Sequence, residues 1–219
     1  MANLKEIRNR ITSVGSTMQI TSAMKMVSAA KLKRAQDAVT QLRPYANKLR
    51  DILQNISSTL DSSAGGELTV QREIKKILVV VITSNRGLAG AFNSNVIKGA
   101  NAILNDAKQN GVEVELLTIG KKGYDLLRKQ TKVYENKSSV WDNISFDEIA
   151  EISENITQKF ISGEFDQVRL VYNQFKNAAT QIVMNEQYLP VQIQNDHAEV
   201  STTSVDYIFE PSKEKSLPI

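Results

Sequence analysis

Apolar residues in the first part of the chain recur every seven positions. One register reads Leu4, Ile11, Met18, Lys25, Leu32, Val39, Ala46, Leu53 and Leu60, and the other Ile7, Val14, Thr21, Ser28, Ala35, Leu42, Leu49 and Ile56. The phase holds for eight heptads, and polar residues interrupt it only at Thr21, Lys25 and Ser28. A strict seven-residue period sustained this long predicts a left-handed coiled-coil helix over residues 1–61. At about 1.5 Å per residue the helix would be roughly 85 Å long, far more than a small domain is wide, so much of it must project. Asn3-Leu4-Lys5-Glu6 predicts the start: the Asn3 side chain accepts from an early backbone N–H while Glu6 reaches back. Ser62-Ser63-Ala64-Gly65-Gly66 predicts the stop. Pro44, on the face away from the seam, has no N–H for the Thr40 carbonyl and predicts a local bend.

From about residue 68 the pattern changes to alternating strands and helices. Ile77-Leu78-Val79-Val80-Val81-Ile82 is apolar on both faces, as a central strand of a parallel sheet must be. A helix is expected over 93–110, with Val96, Ile97, Ala100, Ile103, Leu104 and Ala107 on one face and Gly111 at its end. A second strand is expected over 112–119, a short helix over 121–130 and a brief third strand over 131–134. Ser145-Phe146-Asp147-Glu148 reads as a capping box opening a helix to about Ser162. Two further strands, 167–174 and 181–191, flank the turn-like Lys176-Asn177-Ala178. The fold class is therefore α/β: a long N-terminal coiled-coil helix, then a Rossmann-like α/β domain over 68–210 with a mainly parallel sheet and an antiparallel finish.

The 219 residues carry a net charge of +3, which hides an asymmetry. Residues 1–60 hold ten Lys and Arg against three acids, a net of +7; the rest holds 17 basic and 21 acidic residues, a net of −4. The basic character belongs to the helix, which needs an acidic partner or solvent. No cysteine is present, so disulfide and thiolate chemistry are excluded. The longest apolar run, Ile77 to Ile82, is far short of the ~20 residues that cross a bilayer, so direct membrane insertion is not expected. Lys5, Arg8 and Arg10 with nearby Ser and Thr resemble a targeting leader, but their apolar spacing stays in phase with the later heptads and reads as mature helix.

Candidate chemistry is sparse. Thr83-Ser84-Asn85-Arg86-Gly87-Leu88-Ala89-Gly90 sits where a phosphate loop would, yet matches neither G-x-G-x-x-G nor G-x-x-x-x-G-K-[ST]. The second strand ends in Thr118-Ile119-Gly120-Lys121, without the acid that holds a ribose hydroxyl. The lone His197 lies in a polar stretch, and Glu148, Glu151 and Glu154 fall at helical spacing on a solvated face. No catalytic residue, cofactor site or metal site is expected. The helix is more informative. Around Met24, Lys25 and Met26 the seam turns polar and small residues (Thr21, Ser22, Ala23, Ser28, Ala29, Ala30) surround the axis. Either this is a register-setting polar layer, or the rod passes closely through another protein, with flexible methionines accommodating changing contacts. Lys31, Lys33 and Arg34 come next as a basic cluster, either solvated or set against acidic loops.

Ile20 to Lys31, then Arg43-Pro44-Tyr45, resemble the N-terminal helix of the gamma subunit family of rotary (F-type) ATP synthases. Thr83 to Asn93 is similar to that family's loop after the first sheet strand, and Asp206-Tyr207-Ile208-Phe209-Glu210-Pro211 to the segment where its sheet domain ends. The resemblance implies a non-catalytic central stalk that couples ion-driven rotation of a membrane ring to the catalytic beta subunits. It implies that Met24, Lys25, Met26, Lys31, Lys33 and Arg34 contact the ring of alpha and beta subunits, near acidic beta-subunit loops. Phe209 and Glu210 are expected near the epsilon subunit and the membrane c-ring. The resemblance also implies a peripheral place on the cytoplasmic face of a bacterial inner membrane. Members of the family continue with a second long helix antiparallel to the first, so residues 211–219 are expected to begin a helix that is otherwise missing here. Two rival readings remain from the residues alone: a homodimeric coiled-coil scaffold with a partner-binding α/β domain, and a nucleic-acid binder. Against the second, Tyr45 is the only aromatic residue of the basic helix, so nucleic acid is not an expected partner.

Overall fold

The computed structural model describes residues 3–59 and 67–191. They divide between two compact units, Met1–Ile56 and Ser57–Ile219.

The first unit is helix α1, Leu4–Thr59, of 56 residues. The Asn3 carboxamide oxygen accepts from Lys5 N at 3.2 Å, half of the expected capping box. The other half is replaced. Glu6 turns outward to Arg10, 3.3 Å away and one turn on, where the i,i+4 pairing favours both charges. Pro44 lies within the helix, which continues through it. Thr12, Ser16, Thr17, Thr21 and Thr40 turn their hydroxyls back to carbonyls four residues earlier, satisfying themselves within the helix. The seam residues Leu4, Ile7, Ile11, Val14, Met18, Leu32, Leu42 and Leu49 are all exposed.

The second unit is a five-stranded sheet in the order β3-β2-β1-β4-β5. Its strands are β1 (Lys76–Ile82), β2 (Glu113–Ile119), β3 (Lys132–Asn136), β4 (Gln167–Phe175) and β5 (Gln181–Leu189). The first four run parallel, and β5 returns antiparallel to β4. The all-apolar β1 takes the middle, buried from Ile77 to Val81, because its alternate side chains feed two cores. On one face Val79, Val81, Leu116 and Val171 meet Val96, Ala100 and Ile103 of α2 (Phe92–Gln109) and Leu127 of α3 (Lys121–Leu127). On the other, Leu78, Val80, Leu117 and Val168 meet Ile152, Ile156 and Phe160 of α4 (Phe146–Ile161), with Phe165 between.

Helix ends obey local chemistry. Ser145 caps α4 by accepting from Glu148 N at 3.3 Å. Beyond α2, Gly111 adopts φ 69°, with Gly111 N donating to Lys108 O and Val112 N to Ala107 O at 2.8 Å. Those two bonds are the Schellman closure, which favours glycine at the left-handed position. Gly163 ends α4 the same way, through Gly163 N to Phe160 O and Glu164 N to Lys159 O, both 3.0 Å.

Three boundaries in this unit differ by two residues or more from the sequence reading; the first is β5, which ends at Leu189 rather than 191. Helix α3 stops at Leu127 rather than 130, because Gln130 N and Thr131 N both turn back to the Leu127 carbonyl. Strand β3 runs two residues past Tyr134, because its pairing with β2 shifts register between Leu116 and Leu117. That shift brings Asn136 beside Thr118, whose hydroxyl donates to Asn136 Oδ1 at 3.1 Å.

Candidate functional site

Met24, Lys25, Met26, Lys31, Lys33 and Arg34 are all exposed on α1. At about 100° per residue they do not share a face. Lys25 lies on the seam, Met26 and Lys33 on the opposite side, and Met24, Lys31 and Arg34 on one flank. The seven-residue repeat alone misses one feature of this stretch. Where the seam is polar at Thr21, Lys25 and Ser28, the apolar residues Ile20, Met24 and Val27 form a stripe of their own at i, i+4, i+7, exposed at 58%, 64% and 57%. By helical geometry this stripe lies about a quarter turn from the seam. The apolar surface of α1 therefore turns from one flank to another within two helical turns, with Lys31 and Arg34 closing the second stripe. A long-period pattern hides this; the signal is the short i, i+4, i+7 spacing. Phe209 and Glu210 lie outside the described residues.

In the α/β unit the candidate loop comes after β1 at the carboxyl edge of the sheet, where the chain leaves β1 for β2 on one side while β4, reached from β3, pairs on the other. The side chains of Thr83, Ser84, Asn85 and Asn93 are engaged in holding the edge together. Thr83 Oγ1 donates to Gly120 O at 3.2 Å and accepts from Gly123 N at 2.8 Å. Asn85 accepts from Lys121 N and donates to Ser138 O, both at 2.9 Å. Asn93 Oδ1 takes Ser84 N at 3.0 Å, the backbone donor that a phosphate would need. This is a structural turn whose side chains stitch β1 to α2 and α3. An open cleft of about 510 Å³ beside it is lined mainly by Ala, Gly, Asn, Thr and Gln, among them Ala91, Asn95, Asn173 and Thr180. The same edge presents apolar side chains outward: Leu88, in the left-handed region at φ 59°, with Trp141, Ile144 and Phe146. Among the described residues no group of three or more His, Cys, Asp or Glu could hold a metal ion.

One ionic cluster stands apart. Glu115, 1% exposed in the middle of β2, accepts from Lys132 on β3 and lies 3.1 Å from Lys76 Nζ on β1. Burial pushes its carboxyl up, but the hydrogen bonds and the positive charges of Lys132 and Lys76 together outweigh burial and hold it below its ordinary 4.5. A carboxyl depressed by folding adds stability above its unfolded value and loses it as pH falls through the folded value. The stability advantage of the native protein over Glu115→Gln is therefore expected to be full near neutrality and to shrink progressively below about pH 4.5. Urea midpoints across that range check it; parallel curves would contradict it. An acid within a strand is visible in the sequence, but its two lysines are not, because they come from neighbouring strands.

With an exposed, doubly striped helix and an α/β unit whose loops are spent on folding, the chain is of the interaction type: its informative surface is for other polypeptides. The fold matches a chain of the Tetrahymena thermophila mitochondrial ATP synthase central stalk/c-ring structure, with a TM-score of 0.61 and 26% identity, covering 90% of this chain and 83% of that one. The chain belongs to the ATP synthase gamma chain family: the ATP synthase family description matches residues 3–218. The ATP synthase gamma chain of Flavobacterium psychrophilum is 62% identical over 216 residues, which cover 98% of this chain and 74% of the relative. That of Flavobacterium johnsoniae is 60% identical with the same coverage. Among the described residues no helix is long and apolar enough to cross a membrane.

Proposed function

We propose that the chain is the central rotor-stalk subunit of an F-type ATP synthase, coupling ion-driven rotation of the membrane ring to conformational change at the catalytic beta subunits and making no bonds itself. The observation that carries this reading is the band on α1 between Ile20 and Arg34, where apolar and basic side chains are exposed on every flank. A rod packed against one partner concentrates its apolar residues on one face. A shaft enclosed by a ring has use for contacts all round, and methionine at Met24 and Met26 tolerates the changing surfaces that rotation brings. In this reading residues 1–61 are the stalk and 68–210 the domain nearer the membrane. Met24, Lys25, Met26, Lys31, Lys33 and Arg34 contact the alpha and beta subunits, and Phe209 and Glu210 the epsilon subunit and c-ring. The chain reaches the cytoplasmic face of a bacterial membrane through those partners.

Co-purification with the alpha and beta subunits of its own organism tests the reading. The combined variant Lys31→Glu, Lys33→Glu, Arg34→Glu is expected to bind about tenfold more weakly, three exposed pairs contributing ~0.5 kcal/mol each. The difference should widen at low salt. Equal capture of both forms would remove the basic cluster from the interface, and capture of neither would overturn the stalk reading.

A further inference from the structure

The chain contains one Asn-Gly dipeptide, Asn110-Gly111, and the fold places it in the turn that closes α2. We propose that Asn110 is a site of non-enzymatic deamidation, kept silent while that turn is closed, and that the reaction, once it occurs, holds the turn open. Glycine has no side chain to crowd its backbone nitrogen, which makes that nitrogen the most accessible nucleophile for the preceding asparagine. Gly111 N attacks Asn110 Cγ, forming the N–Cγ bond of a five-membered imide. The Cγ–Nδ2 bond breaks, and ammonia leaves with the proton from Gly111 N. Water then opens the imide at either carbonyl, giving aspartate or isoaspartate. No oxidant or reductant is involved; one water enters and one ammonia departs.

Asn110 is exposed, so burial does not protect it. The turn geometry does. Ring closure needs Gly111 N close to eclipsed with Asn110 Cβ about the Cα–C bond. At ψ 4°, Gly111 N is instead eclipsed with Asn110's own backbone nitrogen. Asn110 Nδ2 donates to the Asp106 carbonyl at 2.9 Å and faces the Asp106 carboxylate at 3.4 Å, folding the carboxamide back onto α2. Gly111 N donates to Lys108 O, and Val112 N to Ala107 O, so attack requires the closure to open first. Such openings are local and far cheaper than global unfolding. The product opposes reclosing. A new carboxylate at the carboxyl end of α2 meets the negative end of the helix dipole and the Asp106 carboxylate one turn earlier. In the isoaspartate form an extra methylene enters the main chain and breaks the spacing that joins Val112 N to Ala107 O.

The test incubates the full chain in mildly alkaline buffer, folded and in urea, and tracks the Asn110 peptide by mass and isoaspartate content. The folded rate is expected to be at least about tenfold lower, which needs only ~1.4 kcal/mol of local opening free energy. Ala107→Gly leaves the dipeptide intact but weakens the last helical turn, and should raise the folded rate about fivefold without changing the rate in urea. Asn110→Asp should lower the urea midpoint relative to the native chain. Equal folded and unfolded rates, a folded rate insensitive to Ala107→Gly, or an unchanged midpoint for Asn110→Asp would each overturn the proposal.

Discussion

Replacing Gly120 with alanine is expected to destabilise the α/β unit severely. Gly120 joins β2 to α3 at φ 127°, ψ 130°, a region that side-chain-bearing residues rarely adopt. A Cβ there would lie 2.1 Å from Thr83 O and 2.6 Å from both Thr83 C and Oγ1. Thr83 cannot move aside. Its N–H donates to Ile119 O at 2.9 Å, and its hydroxyl binds Gly120 O and Gly123 N. Backbone strain and overpacking add, so the cost is about 4 kcal/mol, a large share of a small domain's stability. Two other glycines calibrate the result. Gly87→Ala meets only the end of the Lys122 side chain at 3.5 Å and should cost little. Gly15→Ala, with nothing within 4 Å inside α1, should gain about 0.5–1 kcal/mol from helix propensity. Urea denaturation monitored by circular dichroism separates the three, and a Gly120→Ala midpoint near that of the native chain would refute the steric account.

Phe160→Ala is expected to destabilise the same unit by about 3–5 kcal/mol. The ring is fully buried at the end of α4, among Leu78, Leu117, Ile156 and Val168. Arg72 lies over it, with the guanidinium carbon 5.0 Å from the ring centroid and Nη1 donating to the Phe160 carbonyl at 2.7 Å. Removing the ring leaves a cavity and loosens the side chain that closes the end of the helix. Phe160→Leu should recover most of the loss, because it fills most of the space. Phe146→Ala, on the same helix at 84% exposure, should change stability by less than about 0.5 kcal/mol. Chemical denaturation of the three variants checks the ordering; equal losses at 146 and 160 would contradict the burial argument.

The importance of Gly120 is non-local. Gly120 reads in sequence as a glycine ending a strand, and nothing nearby announces that Thr83, at the end of another strand, leaves it no room for a Cβ. Glu115 is similar: it lies within a strand buried on both faces, while the lysines that neutralise it come from β1 and β3.

By contrast, whatever depends on spacing along one stretch of chain was legible. The apolar run at 77–82 made a central parallel strand, and the amphipathic spacing after Asn93 made α2. Ser145 capped α4, Gly111 closed α2, and the heptads marked the long helix. These features arise from side chains within a few residues of one another, and the period of the pattern carries them. The Ser and Asn halves of the capping boxes formed as their spacing predicts, while Glu6 went instead to Arg10, a competitor one turn away on the same helix. Strand register, the bulge that lengthens β3, the use of Thr83 and Asn85 as stitches across the sheet edge, and the close approach at Gly120 were decided only by the tertiary structure. They depend on which strands become neighbours, and no local period encodes that choice.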